Sequence, residues 1–490
     1  MKDTYTAEEL STLKGKITHG FSVLLLRETL LKIFAFAAQL FLARILSPSD
    51  FGFYAIIVFI INFLGLFSDI GLSSAIIRQE TPPSKQQISN IFWFKTIINS
   101  ILVVLLIIAA PFLHVIYPSL LPIHVQMIQI ISVTLLFAAI RSTPIALLEK
   151  DLQYGPISII DIIGIFLYYI VAIILAMRNF GVWSFILATV AKEIIETIIV
   201  FLYKPLQIIF TFNVKNLRQL IKFGLFIQAG GFVTFLNSAL IPVIGGISST
   251  PYNVGLLDWA STLALTPSNA ITNNFGRVAF AGFSKVQQDK ILLRKSIEKS
   301  TAILSLVLFI LPVGIFGFGK QITTFLYTSK WEAGLPALYW FAITIFFSSV
   351  TATYGQGILV LGKSKQIFYA TLVSNIAGIL LAIFLLIPFG FTGIAIASFL
   401  ANFLLFFLYI IIAKKIALDA NLISAIIPKL WIAFLTSFWI FVINASISDT
   451  FILFIIKGIS AVSVYGILSF VFAKKDIQDI FTMVKTIAIK

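Results

Sequence analysis

One feature constrains this chain above all others. Windows of about 20 mostly apolar residues, parted by short polar or Gly/Pro breaks, recur from one end of its 490 residues to the other. A window of that length lets a helix cross the hydrocarbon core while satisfying every backbone N–H and C=O within itself. About fourteen windows can be marked, and at about 22 residues each they leave roughly 180 residues for loops and tails. The expectation is an all-α polytopic membrane protein with no room for a soluble domain. Composition points the same way: 59% hydrophobic and 11% charged residues cannot clothe a soluble core, and the mean hydropathy is +1.03. Soluble enzymes are thereby excluded. With no Cys and only three scattered histidines, His19, His114 and His124, neither disulfides, a metal cluster nor any cofactor is expected. No G-x-x-x-x-G-K-[ST] loop occurs, so ATP is not expected as the direct energy source.

The basic residues set the expected topology, because connections between spans should alternate between rich and poor in Lys and Arg. Every second connection here is rich. Lys2, Lys14 and Lys16 begin the series, the loop with Arg277, Lys285, Lys290, Arg294, Lys295 and Lys299 is its centre, and Lys474, Lys475, Lys485 and Lys490 end it. Twenty-four of the 35 basic residues fall on this side, against four on the other: Arg44, Arg178, Lys320 and Lys330. An even number of spans with both termini cytoplasmic follows. The polar stretch Met1 to His19 lacks a small-residue cleavage site and reads as a retained tail. In a chain of this kind the positive balance orients the protein in the membrane and does not call for nucleic acid.

An internal repeat suggests how the spans are grouped. Ser47-Pro48-Ser49-Asp50-Phe51-Gly52 follows the first span and Thr250-Pro251-Tyr252-Asn253-Val254-Gly255 the seventh, each with Gly four residues after Pro. We expect two six-helix lobes, residues 1–203 and 204–412, and a peripheral C-terminal helix pair, 413–490. Transporters built from such repeats hold substrate near the midplane, at the repeat interface.

Several stretches carry a family resemblance. Leu42-Ala43-Arg44-Ile45-Leu46-Ser47-Pro48-Ser49-Asp50-Phe51-Gly52 resembles the L-A-R-x-L-x-P-x-x-[FY]-G signature of Wzx-type polysaccharide flippases and exporters, within the multidrug/oligosaccharidyl-lipid/polysaccharide superfamily. Asp69 to Ile77, Asn90 to Phe94, Pro144 to Leu152 and Arg277 to Gln287 are similar to further stretches of the colanic acid and teichuronic acid exporter subgroup, with departures at Ala281 and Glu149-Lys150. The resemblance implies a bacterial cytoplasmic (inner) membrane protein and a two-lobed cavity. The implied activity moves polyprenyl-pyrophosphate-linked oligosaccharide to the outer leaflet, beside polysaccharide polymerase or export machinery.

Charges deep in spans cost about +2.5 to +3.5 kcal/mol each and so need a reason. The first span, Gly20 to Ala43, holds Arg27, Glu28 and Lys32. Its thirteen Leu, Ile, Val and Phe residues return about −4 to −8 kcal/mol against a cost of roughly +8 to +10. Arg27 and Lys32 are therefore candidate pyrophosphate ligands; the plainer alternative is a structural Glu28–Lys32 pair, four residues apart. The sixth span holds Lys192, Glu193 and Glu196, with Lys192 a further candidate substrate ligand. Lys192 and Glu196 are spaced as a pair, which leaves Glu193 without a partner on its own helix, so Glu28, Glu193 and Glu196 are candidates for coupling to H+ or Na+. The alternative for Glu193 is an interhelix or interlobe ion pair, with the first span as the other side. Asn269 and Asn273 share one face of the eighth span and can either join helices or bind sugar hydroxyls. Asp69, Lys95, Arg141, Asp161 and Lys222 lie toward the cytoplasmic ends of their spans and are expected to snorkel. Lys457 lies deeper, in a span expected to be peripheral.

Two other functions compete. A cation-coupled multidrug exporter would want an acidic cavity, whereas the charges here are mixed. A membrane-embedded glycosyltransferase or polymerase would want catalytic carboxylates in a sizeable outer loop, and the outer loops here are short and poor in acids. The chain is expected to be a transporter and not an enzyme.

Overall fold

Helix starts in this chain are written in short polar motifs. Ser47 accepts the amide of Asp50, Asp50 Oδ2 accepts the amide of Ser47 at 2.8 Å, and Pro48 supplies the first helical residue with its φ preset. The signature stretch Ser47 to Asp50 is thus a capping box that launches the helix Pro48–Asp69. The side chains of Ser84, Asp289, Asn421 and Thr450 accept first-turn amides of later helices as simple N-caps. Pro251 also opens a helix, and the glycine four residues after the proline is buried in both, at Gly52 and Gly255.

The computed structural model describes residues 31–210 and 232–479, apart from 33, 233, 234, 237, 419 and 449. Among these residues the structure is helical, with no strand. The helices are α1 (Phe34–Ile45), α2 (Pro48–Asp69), α3 (Leu72–Arg78), α4 (Lys85–Ala109), α5 (Pro122–Lys150), α6 (Tyr154–Met177) and α7 (Trp183–Tyr203). They continue with α8 (Pro251–Val286), α9 (Lys290–Leu308), α10 (Ile310–Gln321), α11 (Leu335–Val360), α12 (Ser364–Phe389), α13 (Thr392–Lys415), α14 (Leu422–Ser446) and α15 (Phe451–Phe472). Ten helical stretches among the described residues are long and apolar enough to cross a membrane. The all-α polytopic fold is therefore as expected. Residues 1–30 and 211–231, on which parts of two of the fourteen expected spans fall, lie outside the described residues, and α7 and α8 are not among the ten.

Two compact units divide the chain: Met1–Phe235 with Thr250–Tyr252, and Leu236–Ser249 with Asn253–Lys490. In the first, α5 lies against α2, α3, α4 and α7, and α6 pairs with α7. Leu72, Ile76, Ile91 and Ala146 join α3, α4 and α5, while Leu148, Ile157, Ile160 and Val200 join α5, α6 and α7. In the second, α13 packs on α11 and α12, and α14 and α15 pack on each other and on α10. Leu304, Phe309, Val313, Ile345, Ile440 and Ala461 form the core there. Large apolar side chains remain exposed around both units; Ile387 is 85% exposed and Leu202 78%. Water would not tolerate so continuous an apolar surface, and a bilayer requires it.

Candidate functional site

The first unit carries a network of charges inside its spans. Short α5–α6 and α6–α7 turns fold the chain back so that α5 and α7 pack along each other. Arg141 of α5 there reaches both acids of α7. Its Nη2 lies 3.0 Å from Glu193 Oε2, and its Nη1 is paired with Glu196 Oε2. Lys192 Nζ stands 3.7 Å from Glu193 Oε1 and 3.7 Å from Glu196 Oε1, the latter being the expected i,i+4 pair. Glu193 Oε2 is buried and receives no well-aligned hydrogen bond, so that contact is held by charge. Thr197 ties the backbone in register, its hydroxyl donating to Glu193 O at 2.7 Å and to Phe137 O of α5 at 3.3 Å.

Space for Glu196 comes from α6. A Cβ at Gly164 would overlap the Glu196 carboxylate, and the side chain of Glu196 is only 3% exposed. Glycine at 164 is therefore a packing requirement of the charge network, since no other residue leaves that volume empty. Counting 1.5 Å per residue, Glu193 lies about 15 Å from either end of α7, and Arg141 about 14 Å from the C-terminal end of α5. Two cations against two carboxylates make the network neutral overall, which is the cheapest way to hold four charges at that depth.

One residue along α5, a second buried pair begins. Lys95 of α4 is fully buried, is paired with Asp69 at the end of α2, and donates to Ser73 Oγ at 2.7 Å and Ser142 Oγ at 3.1 Å. Asp69 also accepts from the amide and hydroxyl of Ser73, closing the turn where Ile70 and Gly71 take positive φ. Lys150, at the end of α5, donates to the carbonyls of Ile76 and Gln79 and so caps α3.

Three expectations are corrected here. Glu193 is not left without a partner: it makes an interhelix ion pair with Arg141 of α5, while Arg27 and Glu28 of the first span lie outside the described residues. Arg141 does not snorkel: it turns inward because two carboxylates at its own depth neutralise it better than a distant interface. Lys95 likewise does not snorkel, since Asp69 and two hydroxyls satisfy its ammonium in the interior. A signal for Arg141 was present in the sequence. The charged stretch of α7 is net negative by one and mid-membrane, which calls for a cation on a neighbouring helix.

The remaining candidates are dispersed. Arg27, Glu28 and Lys222 lie outside the described residues. Lys32 is exposed in the first unit. Asn269 and Asn273 are exposed on α8 in the second unit, where neither side chain joins a neighbouring helix among the described residues. Lys457 is buried and donates to Ile447 O at 2.8 Å, an anchoring contact at the start of its own hairpin. No group of three or more His, Cys, Asp or Glu able to hold a metal occurs among the described residues.

Known proteins place this architecture. The model of the polysaccharide biosynthesis protein family matches residues 41–336, more than half of the chain. The chain belongs to that family. Among its relatives, the teichuronic acid biosynthesis protein TuaB of Bacillus subtilis (strain 168) is 22% identical over 309 residues, 63% of either chain. The succinoglycan biosynthesis transport protein ExoT of Rhizobium meliloti (strain 1021) is 21% identical over 340 residues, 69% of this chain and 67% of that one. The match thus spans less than two thirds of the Bacillus protein. In fold, the chain is similar to the lipid II flippase MurJ in its inward closed conformation, with a TM-score of 0.73 at 16% identity over 92% of this chain and all of that one. An inward-facing multidrug resistance transporter of the MATE family gives 0.62 at 13% identity over 79% of this chain and 95% of its own. This member of the polysaccharide biosynthesis family is a multi-pass membrane protein with a fold shared by a flippase and a drug transporter.

Proposed function

We propose that the chain is a flippase that carries a polyprenyl-pyrophosphate-linked oligosaccharide from the cytoplasmic to the outer leaflet by alternating access. It would sit in the bacterial inner membrane with both termini cytoplasmic and deliver its substrate to polysaccharide polymerase or export machinery. The observation that carries this reading is the mid-span network of Arg141, Lys192, Glu193 and Glu196 in a chain of this family. Arg141 and Lys192 are cations already neutralised by carboxylates, and a pyrophosphate competes for them with the same charge-assisted hydrogen bonds. Arg27 and Lys32 in the first span are further proposed pyrophosphate contacts, and Asn269 and Asn273 on α8 of the second unit are proposed, on their own, as partners for sugar hydroxyls.

Coupling follows from the same exchange. When an anion takes Arg141, a carboxylate is left mid-membrane without its cation, and binding H+ or Na+ is the inexpensive remedy. Glu193, held by charge without an aligned hydrogen bond, is the first to be released; Glu196, and Glu28 of the first span, are the other candidates. Proteoliposomes containing a fluorescent lipid-linked oligosaccharide test this. Glu193→Gln should abolish the acceleration of flipping by a pH or Na+ gradient while leaving downhill flipping intact, and an unchanged gradient response in both Glu193→Gln and Glu28→Gln would remove these residues from coupling. The fold shared with a MATE transporter keeps a second reading in view. Gradient-driven uptake of a cationic dye by the same vesicles, without oligosaccharide flipping, would make the chain a multidrug exporter instead.

A further inference from the structure

A second, separate concentration of charge lies at one end of the second unit. The second to fourth turns of α9 and the first two turns of α14 meet the end of α15 and the residues after it around a cavity of about 650 Å³. It shares no residue with the α5–α7 network. Five lysines line it: Lys295, Lys299, Lys429, Lys474 and Lys475. The three carboxylates present are all engaged. Asp476 is held by buried Lys429 at 2.6 Å, Asp479 by Lys299 at 2.8 Å, and Glu298 Oε1 accepts from Ser424 Oγ at 3.0 Å. Lys295, Lys474 and Lys475 are exposed and form no ion pair among the described residues. The floor is therefore largely neutralised and the rim is cationic.

The same rim has an apolar shoulder. Val471 and Phe472 line the cavity and are 65% and 50% exposed, at the last turn of a membrane helix. A cavity at the ends of spans lies at headgroup depth, where lysines reach phosphates and exposed apolar side chains meet the first acyl carbons. Free phosphate would use the lysines and leave the shoulder bare, whereas an acidic lipid uses both.

We propose that this cavity binds the phosphate of an anionic membrane phospholipid, with Lys295, Lys474 and Lys475 around the headgroup and Val471 and Phe472 against its chains. Native mass spectrometry of the full-length protein in mild detergent, titrated with phosphatidylglycerol or phosphatidylcholine, tests it. Phosphatidylglycerol should bind saturably and phosphatidylcholine much more weakly. At about fivefold per lysine, the Lys295→Gln/Lys474→Gln/Lys475→Gln variant should weaken phosphatidylglycerol by about a hundredfold. The corresponding Lys→Arg variant should keep it, which separates lost charge from lost fold. Lys285→Gln/Lys363→Gln/Lys365→Gln removes the same charge from exposed lysines that do not line the cavity and should change binding less than twofold. Equal weakening in that control would reduce the effect to diffuse charge and overturn the site. Equal affinity for phosphatidylcholine, or displacement of the lipid by equimolar inorganic phosphate, would overturn the lipid assignment.

Discussion

Replacing Arg141 with Gln leaves Glu193 and Glu196 with Lys192 alone, 3.7 Å from each, in place of two cations. Glu196 is 3% exposed, so water does not take over. Removing one partner of a buried ion pair costs about 3–5 kcal/mol, because the carboxylate left behind keeps its desolvation penalty. On the scale of soluble domains of 150–250 residues, 1 kcal/mol shifts Tm by about 2–4 °C, so the expected loss is roughly 6–20 °C. The measurement is thermal unfolding of purified protein in detergent, run on Arg141→Gln, Glu196→Gln and the double variant. The double variant removes one charge of each sign and restores neutrality, so it should be more stable than Arg141→Gln alone, with a coupling energy above about 1 kcal/mol. Arg141→Lys keeps the charge and loses the fork that spans two carboxylates, and should fall between wild type and Gln. An Arg141→Gln protein that unfolds within 2 °C of wild type, or a double variant whose loss is the sum of the singles, would refute the account of a neutral network built on Arg141.

Three further outcomes are expected. Gly164→Ala places a methyl group on the Glu196 carboxylate and should destabilise by about 1–3 kcal/mol in the same unfolding assay; combined with Glu196→Ala, which vacates the space, it should cost much less than the sum. Lys95→Met keeps the volume but leaves Ser73, Ser142 and Asp69 without their donor, at about 1–3 kcal/mol; because Asp69 is 36% exposed and can be solvated, the loss should be smaller than for Arg141→Gln. In this Cys-free chain, Lys295→Cys should resist an impermeant thiol reagent added outside whole cells and react in opened cells; labelling from outside would reverse the topology.

Much of the fold was readable without coordinates because its rules are local. Apolar windows of bilayer length mark the spans, and the Ser47-Pro48-Ser49-Asp50 capping box and Pro251 mark helix starts through contacts within four residues. The Lys192–Glu196 pair was readable for the same reason, since i,i+4 neighbours meet on any helix. What the tertiary structure alone decided is where charges on different helices go. Whether Arg141 snorkels or turns inward depends on which face of α7 packs against α5, and no periodicity within either helix records that choice. The same packing buries Lys95 between Asp69, Ser73 and Ser142, and makes Gly164 the vacancy that receives Glu196. Hydropathy reports the cost of a charge in a span; only the approach of a second helix determines whether that cost is met by a partner or by the interface.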